Sequence, residues 1–366
     1  MKKERALEIN RQLINSGKDF TQKLLHWNRF KNNRQLPWKG EKDPYKIWLS
    51  EIILQQTRVE QGLKYYQNFI DTYKNVDALA DAQDEKIFKL WEGLGYYSRC
   101  RNLIQTAQYI SKELGGVFPT EYETILGLKG VGSYTAAAIV SFAYNLPHTV
   151  LDGNVFRVLS RIFNIAIPID STEGKKIFFQ LAQQLLPLKK AGEYNQAVMD
   201  FGAVICKPVP LCNACFFKKK CLAYLGGKQD SLPVKEKKPT IKTRWMNYFI
   251  VQCGEEILIQ QRTEKDIWQH LFQFILIETS RCMNTKTLLT LLEKQFGIKI
   301  TSKITEWKEE QKLSHQIICF HFFHVTIKRK KDVLSYGWAN IIELQNLAFP
   351  KTLQQAFQRI SVAYWS

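Results

Sequence analysis

An all-α domain followed by a smaller α+β domain is the architecture this sequence predicts, on three observations. From about residue 5 to 224, apolar residues recur at helical spacing. Breaks in that pattern carry Pro, Gly or Asp, as in Leu36-Pro37-Trp38, Asp43-Pro44, Gly93–Gly95, Gly115-Gly116 and Asn145–Pro147, and no strand alternation appears. Residues 226–244 are polar, basic and interrupted by Pro233 and Pro239, the composition of a linker. Beyond them the texture changes. Asn247–Gln252 and Ile257–Gln261 flank Gly254 as a hairpin, and Phe272–Ile277 and the aromatic-rich Gln316–Ile327 read as strands. Thr285–Phe296 reads as a helix, and a last helix follows Pro350 over Lys351–Ile360. The expected domains are therefore 1–225 and 245–366, joined by 226–244.

Composition narrows the partners. Of 366 residues 45% are hydrophobic and 13% aromatic, enough for two ordered cores. The formal net charge of +18 suits a polyanion, and nucleic acid comes before a membrane because no basic amphipathic anchor is visible. The amino terminus, Met-Lys-Lys-Glu-Arg, has no apolar signal core, and no stretch of about twenty apolar residues occurs. A cytoplasmic, monomeric protein is expected. In that reducing setting Cys100, Cys253, Cys282 and Cys319 are small apolar residues, whereas Cys206, Cys212, Cys215 and Cys221 cluster within sixteen positions. Four such thiolates suit tetrahedral zinc or an iron–sulfur cluster, and spacing alone does not choose.

Asp43-Pro44 opens a helix with a capping acid and a proline at its first position. Along it Ile47, Glu51 and Leu54 share one face. A carboxylate on an apolar stripe either holds buried backbone or an arginine, or has its pKa raised and donates a proton. Gln55-Gln56-Thr57-Arg58 continues the end of that helix with groups able to touch base edges or phosphate, or to sit in solvent. Gly93-Leu94-Gly95-Tyr96-Tyr97 puts two aromatics on a glycine-rich turn, suited to core packing or to a wedge in a base stack. Gly130-Val131-Gly132 precedes a run of helix formers, so the helix start faces outward as an anion site. Asp152 follows at the next helix start.

Together these segments, with Leu151-Asp152-Gly153-Asn154-Val155, Asn195-Gln196-Ala197 and Met199-Asp200, resemble the helix-hairpin-helix DNA glycosylase superfamily to which endonuclease III belongs. Within it the chain is similar to adenine DNA glycosylases of the MutY type. The resemblance implies a [4Fe–4S] cluster on Cys206, Cys212, Cys215 and Cys221, although the first gap holds five residues where the family usually has six. It implies that Glu51 protonates the adenine ring and that Asp152 stabilises the charge developing on the sugar. Asn154 would hold these groups in register, Tyr134 would pack against the sugar, and Trp38 and Gln196 would line the pocket for an extruded adenine. Gln55, Gln56, Thr57, Tyr96, Gly130 and Gly132 would contact the duplex.

Relatives that also cut the strand carry a lysine in Gly-Val-Gly-x-Lys, where this chain has Tyr134. A phenol forms no imine, which implies base removal without strand cleavage. The alternatives are a bifunctional glycosylase/lyase and a non-enzymatic DNA-binding metalloprotein. The C-terminal domain resembles a Nudix-like domain that recognises 8-oxoguanine opposite adenine. Its helix Thr285–Phe296 offers only Glu293, too little acid to hold magnesium for pyrophosphate hydrolysis. Leu313-Ser314-His315-Gln316 resembles the recognition loop, with Ser314 and His315 as contacts and Leu313 where Phe is common. The implied substrate is duplex DNA with adenine opposite 8-oxoguanine or guanine.

Overall fold

The computed structural model describes residues 17–236, 241–300, 304–313 and 315–365. The amino-terminal part is helical, with no strand among its described residues: α1 over 17–30, α2 Pro44–Leu54, α3 Val59–Thr72, α4 Val76–Ala80, α5 Asp84–Trp91, α6 Tyr97–Glu113, α7 Tyr122–Leu126, α8 Ser133–Tyr144, α9 Gly153–Ile162, α10 Thr172–Leu185, α11 Ala191–Val204 and α12 Leu222–Leu225. The expected α2 start holds: the Asp43 carboxylate accepts from Tyr45 N at 2.9 Å, ahead of Pro44. Its end differs. The helix stops at Leu54, and Gln56 takes φ 58°, so Gln55–Arg58 is a turn and not a continuation.

The chain divides into two compact units, and they are not contiguous in sequence: residues 1–81 with 105–238, and residues 82–104 with 239–366. The helical unit has a core in which Leu24 and Trp27 of α1 join Leu159 of α9, Phe178 of α10 and Phe201 of α11. The loop carrying the clustered cysteines closes on the same core through Cys206, Phe217 and Cys221. Glycines permit the closest helix approach. A Cβ on Gly202 of α11 would lie 2.7 Å from Asn154 Cβ and 3.0 Å from its carbonyl oxygen, so α11 lies flush against the start of α9.

Beyond α12 come β1 Lys242–Cys253, β2 Glu256–Gln261, β3 Phe272–Gln273, β4 Ile275–Thr279, α13 Thr285–Phe296, β5 Ile304–Lys312, β6 Gln316–Thr326, β7 Gly337–Asn340, α14 Ile341–Leu344 and α15 Lys351–Trp365. The described strands form one sheet in the order β3-β2-β1-β6-β5, with β4 also on β1 and β7 on β2. The sheet is mixed, because β1 runs parallel to β6 from Lys242 opposite Gln316 to Gln252 opposite Thr326, while the other pairs are antiparallel. This makes an α/β domain. Alternate residues of β1 face two cores. Tyr248 and Ile250 pack with Leu353 and Phe357 of α15, whereas Phe249 and Val251 pack with Leu288 and Leu292 of α13.

Two boundaries depart from the sequence reading. The stretch 226–244 is not detached linker throughout. Leu232 is buried in the helical core, its carbonyl accepts from Arg161 Nε at 3.0 Å, Val234 O accepts from Ile169 N at 3.0 Å, and β1 already begins at Lys242. Residues 82–104, expected within the first domain, belong to the second unit. Glu92 after α5 explains this: its carboxylate accepts from Phe349 N at 2.9 Å and from Gln354 Nε2 at 3.0 Å, while Lys89 donates to Leu347 O at 3.1 Å.

Candidate active site

A cavity of about 520 Å³ opens in the helical unit. Its wall brings together Trp38, Glu51, Gln55, Gln56, Thr57, Tyr134, Asp152, Asn154 and Gln196, drawn from positions up to 158 residues apart. Helix α2 packs on α8, and both α8 and α9 pack on α11, so the middle of one helix and the first turns of two others converge. Ile47 and Leu54 share the cavity wall with Glu51, as the apolar stripe requires.

Glu51 is only 7% exposed. Burial pushes its pKa from the ordinary 4.5 up to about 7; a hydrogen bond from Tyr134 pulls it down, and the nearby Asp152 carboxylate pushes it further up. Near neutral pH the carboxyl group is thus divided between proton donor and carboxylate. Tyr134, in the first turn of α8, is held well above its usual pKa by burial and by the two carboxylates, so it remains a neutral phenol.

Asp152 is the N-cap of α9 and accepts from Val155 N at 2.7 Å. Its other oxygen accepts from Asn154 Nδ2 at 2.6 Å. Burial raises its pKa, and these two donors act in the opposite direction. A carboxylate held by amides at a helix start is fixed in direction, which suits it to face a developing positive charge. Asn154 is itself held, because its Oδ1 accepts from Arg157 Nη2 at 2.7 Å. The same guanidinium donates to Gly202 O and to Cys206 O, each at 2.7 Å. Arg157 thereby spans the start of α9, α11 and the first cysteine. Asn195 steadies the approach to Asp152 by accepting from Val150 N at 3.3 Å and donating to His148 O at 2.8 Å.

Of the expected DNA contacts, Gly130 takes φ 77° in the turn between α7 and α8, a conformation that favours glycine. Gly132 is the N-cap of α8. Gln55 Nε2 donates to Gly130 O at 3.3 Å, tying the end of α2 to that turn. Lys129 is exposed beside it. Tyr96 and His315 are not in the cavity wall; both are exposed in the second unit, Tyr96 with φ 47° and the Arg99 guanidinium 5.6 Å from its ring. Ser314 lies outside the described residues. Leu313 packs on the α15 side of the sheet.

Cys206, Cys212, Cys215 and Cys221 line one small cavity of about 20 Å³. Arg161 Nη1 lies 3.6 Å from the Cys206 sulfur, and burial raises the pKa of the Cys206, Cys215 and Cys221 thiols. Among the described residues, no three or more His, Cys, Asp or Glu side chains form a ready-made metal-ligand set. The residue types are thiophilic, four cysteines in one cavity wall with Arg161 beside Cys206, but their sulfurs are not gathered into a binding set in this structure.

Three residues of the site went unassigned in the sequence: Arg34, Arg157 and Asp200. Asp200 had a readable signal, since it lies one helical turn after Gln196 and so shares its face. Arg157 is harder to read, because beside the neighbouring Asn154 its other short bonds reach main-chain oxygens of Gly202 and Cys206, far away in sequence.

Residues 49–186 match the HhH-GPD superfamily of base excision DNA repair proteins, and residues 247–359 match the NUDIX domain. The adenine DNA glycosylase of Buchnera aphidicola subsp. Baizongia pistaciae is 34% identical over 349 residues, which cover 93% of this chain and 96% of that protein. The chain belongs to the adenine DNA glycosylase family. It is a base excision repair enzyme, a DNA N-glycosylase, and the Glu51 cavity is this glycosylase's candidate active site. The human adenine DNA glycosylase is 39% identical over 223 residues, covering 58% of this chain and 41% of that one. A thermostable thymine-DNA glycosylase structure is 29% identical with a TM-score of 0.53, over 58% of this chain and 99% of its own. An endonuclease III–DNA covalent intermediate shares the fold at 19% identity and a TM-score of 0.50, over 59% of this chain and 97% of its own. Among the described residues no helix is long and apolar enough to cross a membrane.

Proposed function

We propose that this adenine DNA glycosylase hydrolyses the N-glycosidic bond of adenine paired with 8-oxoguanine or guanine in duplex DNA, and leaves the strand intact. The observation that carries the chemistry is Glu51, a carboxyl group buried in the cavity with its pKa near 7 and held by Tyr134. A group poised there gives a proton to an adenine ring nitrogen at neutral pH, converting a poor leaving group into a good one. Once ionised it draws a proton from the incoming water. Asp152, fixed by Val155 N and Asn154, faces the positive charge that builds on the deoxyribose. Trp38, edge-on to Tyr66 at 5.2 Å, and Gln196 wall the space for the extruded base.

Hydrolysis without strand cleavage is supported by the phenol at position 134, which cannot attack the sugar as an amine would. Duplex contacts are assigned to the Gly130–Gly132 turn, Gln55, Gln56 and Thr57, with Tyr96 as wedge. Recognition of 8-oxoguanine is assigned to the β5–β6 turn through Ser314 and His315. A [4Fe–4S] cluster held by Cys206, Cys212, Cys215 and Cys221 would fasten the 206–221 loop, and no chemical step is routed through it.

The test is incubation with duplexes carrying adenine opposite 8-oxoguanine, guanine or thymine. Free adenine is expected from the first two, with strand breaks only after alkali. Breaks without alkali, together with an adduct trapped by borohydride, would establish a lyase instead.

A further inference from the structure

The segment from Asn32 to Lys39 forms part of the cavity wall through Arg34, Leu36 and Trp38, yet it has no helical or strand hydrogen bonding to fix its path. Its anchor is Asp200 of α11, which is 0% exposed. One carboxylate oxygen accepts from Arg34 Nη1 at 2.8 Å and from Gln196 Nε2 at 3.1 Å. The other accepts from Asn32 Nδ2 at 2.8 Å and pairs with Lys39 Nζ at 3.0 Å. Four donors around one buried carboxylate leave it fully satisfied.

This arrangement determines which way an amide faces. An ionised carboxylate only accepts, so the Gln196 NH₂ group must turn toward Asp200, and its carbonyl oxygen must turn away. Among the described residues that Oε1 has no hydrogen-bond partner, and Gln196 lines the cavity. The cavity wall is thereby given an acceptor. Adenine carries a donor, the exocyclic amine, where hypoxanthine and guanine carry a carbonyl oxygen. An oriented acceptor gains a hydrogen bond from the first and meets a second acceptor on the others.

We propose that Asp200 is a specificity-determining positioning residue: it locks the Gln196 amide with its oxygen toward the base, so that the cavity accepts a purine bearing an amine and rejects one bearing a carbonyl. The inference rests on the reading that this cavity receives the extruded adenine. It adds to that reading a cause for base discrimination that lies outside the residues touching the base.

The experiment compares single-turnover release of adenine and of hypoxanthine opposite the same 8-oxoguanine, in the intact protein. The intrinsic lability of hypoxanthine cancels when the adenine-to-hypoxanthine rate ratio is compared between variants. Asp200→Asn offers both a donor and an acceptor, which frees the Gln196 amide to turn over, and the ratio is expected to fall at least about tenfold. A merely structural role lowers both rates together and leaves the ratio unchanged, which would overturn the proposal. In Gln196→Leu the ratio is expected to fall similarly, and adding Asp200→Asn to it should lower the ratio no further. If Asp200→Asn does not fold, Gln196→Leu carries the test, and an unchanged ratio there overturns the proposal. Absence of adenine release by the wild-type protein from any duplex overturns the underlying reading as well, so the two failures are distinct.

Discussion

Replacing Glu51 by Gln should stabilise the protein at the pH where it works and abolish its chemistry. Burial is the main cause of the elevated Glu51 pKa, with the neighbouring Asp152 adding to it. A rise from 4.5 to about 7 corresponds to about 3 kcal/mol. The sign follows from proton binding. Between about pH 4.5 and pH 7 the folded state holds a proton that the unfolded state has released, so stability declines as pH rises through that window, and the full cost is present above it. Gln keeps an oxygen to accept from Tyr134 and carries no charge to desolvate. Urea unfolding at about pH 8 should therefore show the variant more stable by up to about 3 kcal/mol, with the difference vanishing near pH 4. Adenine release by the variant should drop by about 10²–10⁴-fold or more, while duplex binding persists. In the wild type, release should fall by about tenfold for each pH unit above 7 as the proton donor is lost. A stability advantage over the wild type that is no larger at pH 8 than at pH 4 would refute a carboxylate held in an unfavourable burial.

Arg157→Ala should lower the rate of base release by more than it weakens DNA binding, since it frees Asn154 and, through it, Asp152; Arg157→Lys should not restore the rate, because one ammonium cannot span Asn154, Gly202 and Cys206. Single-turnover kinetics beside a binding titration separates the two effects. Gly202→Ala, whose new methyl would meet Asn154 Cβ at 2.7 Å, should cost about 1–3 kcal/mol of stability and depress base release, as read by thermal unfolding and the same assay. Cys212→Ser should remove the broad visible absorbance expected of an iron–sulfur protein, and retention of a colourless, fully active wild-type protein after iron chelation would count against the cluster.

Much of the site was legible because its chemistry is local in sequence. The Asp43-Pro44 start, the Gly130–Gly132 turn and Asp152 as a cap each follow from residues within one helical turn. The parts that were not legible depend on distant pairing. β5, Ile-Thr-Glu-Trp-Lys-Glu-Glu-Gln-Lys, is mostly Glu, Lys and Gln, which favour helix, and its strand state comes from antiparallel pairing with β6 and from the burial of Trp307. The parallel register of β1 with β6 joins residues more than seventy positions apart and has no local sign. Arg161 likewise reads as a charged helix residue, yet it is 3% exposed and donates to main-chain oxygens of Lys207, Pro208 and Leu232. That is why the expected linker is partly fastened to the helical core.

The discontinuity of the second unit has a consequence for the order of events during synthesis. Residues 82–104 leave the ribosome long before residues 239–366, yet the partners of Lys89, Glu92 and Arg101 are Leu347, Phe349, Gln354 and Gln269. At about 5–20 residues per second the segment waits on the order of ten seconds for them. The loop that presents Tyr96 therefore reaches its final setting only when the carboxy-terminal domain is complete. A nascent chain ended early leaves these polar groups and the Phe88 ring, which meets His270 at 5.8 Å, without the contacts that hold them in the finished molecule. Synthesis of residues 239–366 is thus also the step that finishes a segment made much earlier.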